Sequence, residues 1–137
     1  MFLHLLTEPQ QIALLALAKQ FVEADEKLSD EEHNLLEMLL AESGLPFDVE
    51  LPDGDIPSLA APLDNRQVRA AAVLEIIGIG HADGSFCAPE SDFVNALAGE
   101  FAIDADTVAK MDDWVVRQMN LAQEARQFWA ESSGCVA

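Results

Sequence analysis

Four carboxylates stand where they can share one chemistry. Asp25 and Glu32 frame the turn Ala24-Asp25-Glu26-Lys27-Leu28-Ser29-Asp30-Glu31-Glu32, and Asp83 and Glu90 frame Ala82-Asp83-Gly84-Ser85-Phe86-Cys87-Ala88-Pro89-Glu90, 58 residues later. In each, an Asp follows a helical apolar run, an apolar residue stands three positions on, and a Glu seven positions on precedes a second apolar run. Oxygen-rich sets of this kind suit hard cations such as Ca²⁺, Mg²⁺ or Mn²⁺. The same Glu, at the third position of the following helix, also completes a capping box, and an Asp at a helix exit can bind loop amides without metal. Both uses stay open on the sequence. The turns are not EF-hands, because Lys27 and Asp30 occupy the third and sixth positions of the first and Cys87 the fifth of the second.

The elements that position these turns read as helices throughout, since no segment sustains an apolar/polar alternation. The likeness extends past the loops: Leu15 aligns with Val73, Leu35 with Phe93, Leu36 with Val94, Leu39 with Leu97 and Leu45 with Ile103. The unit duplicated is helix, acidic turn, helix. Repeat 1 spans about 8–45. Its first helix, about Glu8 to Ala24 with Pro9 in the first turn, is apolar over most of its circumference and therefore central. Its second starts at Ser29, which can cap the amide of Glu32, carries Leu35, Leu36, Met38, Leu39 and Leu40, and stops at Ser43-Gly44, with Gly44 suited to a left-handed helix end.

Residues 46–63 form an acidic, Pro-rich linker with room for at most one helical turn near Pro57 to Ala61. Repeat 2, about 64–103, starts at Asp64 as cap and runs to Ala82; Gly78 and Gly80 suggest a neighbouring backbone close to its last turns. A helix from Ala88 to Phe101 follows, capped by Cys87, a weaker acceptor than Ser. A C-terminal helix, about 104–131, carries one apolar stripe through Val108, Met111, Val115, Met119 and Ala122 and a second through Trp114, Leu121, Ala125 and Phe128. The expected fold is all-α: two helical hairpins related by pseudo-twofold symmetry plus a long C-terminal helix, in one domain over residues 1–137.

Composition narrows the functions. Half of the 137 residues are apolar and 23% are charged, so the chain can bury a core without staples. Seven basic against 25 acidic residues leave a net charge of −18, and the scattered Lys and Arg residues cannot gather the phosphates of a nucleic acid. Cations or basic protein surfaces are the matching partners; solubility or salt adaptation would explain the acidity equally well. Cys87 and Cys135 make neither a disulfide framework nor a zinc spacing, which points to a reducing compartment. Met1-Phe2-Leu3-His4-Leu5-Leu6 lacks a basic lead-in and is stopped by Thr7-Glu8-Pro9, unlike a secretory signal, and no run approaches the roughly 20 apolar residues that span a bilayer. The expectation is a cytoplasmic chain with no direct membrane insertion.

The duplicated unit of apolar helix, Ala-Asp-Gly, apolar residue, capping residue and Glu resembles the TerB-like family of tellurite-resistance proteins over roughly residues 10–130. His81-Ala82-Asp83-Gly84 fits best, and Glu26 stands where the family has Gly. The resemblance implies a pseudo-twofold helical bundle whose metal positions are Asp25, Glu32, Asp83 and Glu90. It further implies a metal or stress response at the inner membrane face through protein partners rather than catalysis.

Other candidates are weaker. His4, His33 and His81 could be ligands or bases, though His81 reads more simply as a polar helix end and His33 as a surface residue; Ser29, Ser85 and Ser91 lie near acids without a Gly-flanked elbow or a credible base. Trp114, Phe128 and Trp129 can serve a core or a docking face, and Asp112 and Asp113 beside Trp114 would favour a basic partner over anionic lipid. The sequence thus favours a non-enzymatic binding module that takes a divalent cation and docks a protein. A purely structural adaptor is the alternative, and a metal-dependent hydrolase, lacking a separate base and an Arg cluster for substrate, the remote one.

Overall fold

The structure, a computed structural model, describes residues 2–24, 30–46, 48–81 and 87–135, without the side chains of 30–33, 35 and 130–135. A 3-10 turn at Leu3–Leu5 leads into α1 (Glu8–Glu23), followed by α2 (Asp30–Ser43), the short α3 (Ile56–Ala60), α4 (Arg66–Gly80), α5 (Ala88–Glu100) and α6 (Ala105–Cys135). No strand occurs among the described residues.

Helices α1 and α4 are the centre because their sequences leave few polar positions to face water. Leu14, Leu17 and Phe21 of α1 and Ile76 of α4 are wholly buried, and the two helices pack on each other. Around them lie α2 and α5, each touching both central helices, and α6, which packs on α4 and α5. Phe21 meets Phe93 of α5 edge to face at 5.7 Å between ring centroids, a favoured aromatic geometry.

Local chemistry sets the boundaries. Thr7 caps α1 by accepting from the Gln10 amide at 3.4 Å while the Gln10 side chain accepts from the Thr7 amide at 2.9 Å, the reciprocal pair that satisfies two otherwise orphaned N–H groups. The cap of α4 is Asn65, not Asp64: Asn65 accepts from the Val68 amide at 3.0 Å. Asp64 instead accepts from the Gln10 side chain at 3.4 Å. At the end of α2, Gly44 adopts φ 76° as its sequence position suggests. Helix α5 ends the same way with Ala102, φ 58°, where Ile103 N–H reaches Ala98 O and Ala102 N–H reaches Gly99 O, a Schellman turn built without the usual glycine.

Three expectations change. The Pro-rich segment is part of the core: α3 packs on α1 and α5, and Leu59, Ala60 and Leu63 are buried. It begins at Ile56 because Asp55 caps it, accepting from the Ser58 amide at 2.9 Å. No backbone crowds Gly78, where an added Cβ would meet nothing within 4 Å; it borders a shallow apolar cavity with Leu74, Ile79 and Val115. Met38 lies on the rim of that cavity and is exposed rather than core.

The start of the chain is also core, which its unperiodic sequence does not announce. Leu3 and Leu6 are buried, Phe2 stacks at 5.9 Å on Trp114 of α6, and the Phe2 amide donates to the carboxylate of Glu75 in α4. In α6 the first stripe is covered only as far as Val115. Leu121, Phe128 and Trp129 beyond it are exposed, so the second stripe is largely open to solvent. Among the described residues no helix is long and apolar enough to cross a membrane.

Candidate cation site at the second acidic turn

Of the four carboxylates picked out by spacing, Asp25 and Asp83 lie outside the described residues, and Glu32 sits on α2 with its side chain outside them. Glu90 is the one whose geometry is on view. Pro89 in the first turn of α5 fixes a helical φ where no amide donor is needed, and this places Glu90 at the third helical position, turned back over the helix start.

There one oxygen, Oε1, accepts the backbone N–H of Cys87 at 3.2 Å and the Cys87 thiol at 2.9 Å. Cys87, expected as a weak cap acceptor, here donates its S–H to the carboxylate. The other oxygen, Oε2, is buried with no hydrogen-bond partner, on a side chain only 3% exposed. Such an atom is costly, because a buried carboxylate oxygen that loses water and gains nothing forfeits about 1 to 3 kcal/mol or more. The positive end of the α5 dipole offsets part of that cost. A cation meeting Oε2 would offset the rest.

The remaining donors are sparse. No group of three His, Cys, Asp or Glu side chains able to hold a metal occurs among the described residues. His81, at the end of α4, turns toward α6, where its Nε2 lies 2.6 Å from Asp112 Oδ1. This pair spans 31 residues, and only the helix register of α6 could have hinted at it. Ser91 lines the same hollow as His81 and Asp112. Asp113 pairs with Arg117 at 2.9 Å. Both aspartates beside Trp114 therefore have partners within the chain.

No protein-family model, curated protein or solved structure matches the chain.

Proposed function

We propose that this chain is a non-enzymatic helical binding module of the TerB-like kind, which takes a divalent cation at its second acidic turn and docks a protein partner. The observation that carries the reading is the buried, unpartnered Oε2 of Glu90, an atom whose cost a hard cation would remove. Mg²⁺, Mn²⁺ or Ca²⁺ fits this oxygen chemistry better than a softer metal. The duplicated hairpin is supported by helix positions: α1 and α4 start at Glu8 and Arg66, and α2 and α5 at Asp30 and Ala88, the same 58-residue offset. A paired site would draw on Asp25 and Glu32 as well as Asp83 and Glu90. Glu26, where the second turn has Gly84, makes the first half the weaker one, since a non-Gly residue pays to enter a left-handed turn. The exposed distal part of α6, with Leu121, Phe128 and Trp129, supplies the docking face, and the family resemblance points to the cytoplasmic side of the inner membrane as its place.

Calorimetric titration of metal-free protein with Mg²⁺, Mn²⁺ and Ca²⁺ tests the cation. Binding should be lost in Asp83→Asn with Glu90→Gln and only weakened in Asp25→Asn with Glu32→Gln. No heat at millimolar metal, or binding indifferent to the first pair, would end the reading.

One observation favours the alternative, a structural adaptor without metal: Glu90 Oε1 already accepts the Cys87 N–H, a capping role that needs no ion. In that case Glu90→Gln lowers the melting temperature by the same amount with and without cation.

A further inference from the structure

Two of the seven basic residues stand side by side at one place. Arg66 and Arg69, in the first turns of α4, line a cavity of about 320 Å³, at the lower end of small-ligand pockets. Its other wall is the loop from α5 into α6, with Phe101, Ile103 and Asp104, and Met111 of α6. In a chain of net charge −18 with seven Lys and Arg, two arginines on one small cavity are an exception to the surface as a whole.

Arg69 is held as a binding group is held. Its Nε donates to Leu63 O at 2.7 Å, and its guanidinium carbon lies 5.5 Å from the centroid of the Phe101 ring. Those contacts fix the plane of the guanidinium before any ligand arrives. No described residue accepts a hydrogen bond from its terminal nitrogens or from those of Arg66, so planar N–H donors remain for an acceptor. Asp104 is committed elsewhere, accepting the Thr107 amide at 2.7 Å as cap of α6. It remains charged at neutral pH: hydrogen bonding from the Thr107 side chain, then that amide bond, and more weakly Lys110 and Arg66, hold its carboxyl below the usual value.

The lining therefore carries two positive charges and one negative. We infer that this cavity binds a monoanionic organic carboxylate, its carboxylate on Arg66 and Arg69 and its short apolar body against Phe101, Ile103 and Met111. A guanidinium meets a carboxylate with two parallel hydrogen bonds, and the apolar wall rewards a hydrocarbon tail. A phosphate dianion is disfavoured, because it would bring excess negative charge beside Asp104 and offer the wall nothing.

Amide chemical shifts of the whole protein, followed during titration with sodium hexanoate, phosphate or chloride at constant ionic strength, test this. Hexanoate should give saturable shifts in 66–70 and 102–107, with phosphate and chloride at least about tenfold weaker. Arg69→Lys, which keeps charge but loses the fork, and Arg66→Gln, an exposed change that leaves the core intact, should each weaken hexanoate by about tenfold, the loss of one charged hydrogen bond. Asp104→Asn, which keeps the cap, should strengthen phosphate. Shifts that never saturate, phosphate binding as tightly as hexanoate, or Arg66→Gln binding unchanged would each overturn the assignment.

Discussion

Two buried glutamates, Glu75 and Glu90, look alike by exposure, at 9% and 3%, and differ in what their oxygens meet. Glu75 takes the backbone N–H of Phe2, 73 residues away in the chain, and so ties the segment around Phe2 to a central helix. Glu90 serves an amide three residues away with one oxygen and leaves the other with no partner. Burial by itself does not separate a carboxylate engaged across the fold from one with an unpartnered oxygen. What each buried lone pair faces is the better guide.

The contrast breaks most sharply under added metal. With free cation at about 100 times its Kd, the wild type should gain about 2.7 kcal/mol of unfolding free energy. Glu90→Gln should gain none and Glu75→Gln the full amount; denaturant melts with and without cation read the difference, and equal gains would place the cation elsewhere. Next in size, Glu75→Ala should cost about 2 kcal/mol, since the Phe2 amide loses its acceptor in a partly buried site. It should also speed hydrogen exchange across residues 2–6. A loss confined to global stability, with exchange there unchanged, would mean that the Phe2 bond holds nothing in place.

A smaller effect sharpens the Glu90 side. Cys87→Ser puts the preferred cap residue at the start of α5 and should raise stability by about 0.5 kcal/mol. A fall instead would show that the thiol contact to Oε1 outweighs ordinary capping. Finally, two exposed carboxylates supply a baseline for both buried ones. Asp55 and Asp104 are held below the ordinary value of 3.8, first by their hydrogen bonds to Ser58 and Thr107. Their folded values lie below their unfolded ones, so their contribution is full above pH 3.8 and is lost as pH falls through the lowered values. The Asp55→Asn, Asp104→Asn variant should therefore lose less stability than wild type on that acid limb; parallel curves would remove them from the acid response.

What could be read in advance was what neighbouring residues dictate. Pro9, Gly44, Cys87 and Asp104 mark helix boundaries because caps and breakers act over three or four residues, and the apolar circumference of α1 announces a central helix. What escaped depends on distant partners. Nothing around Phe2 points to Glu75, nothing around His81 points to Asp112, and Arg69 becomes a positioned guanidinium only when Phe101 folds beneath it. Met38 fits the apolar pattern of α2 yet remains exposed at the edge of the cavity between α2, α4 and α6, while its neighbour Leu39 is buried. For the candidate site, spacing identified Glu90 and its capping role. It could not reveal that one of its oxygens would be buried without a partner, since that depends on packing around the helix start.

The anchoring of residues 2–6 also bears on how the chain is made. Phe2 and its neighbours leave the ribosome before their partners, for Glu75 follows 73 residues later and Trp114 later still. At about 5 to 20 residues per second, these apolar side chains wait roughly 4 to 15 seconds for Glu75 alone. During that interval this uncovered apolar segment is a target for chaperones, and the net charge of −18 along the chain opposes its association with other copies.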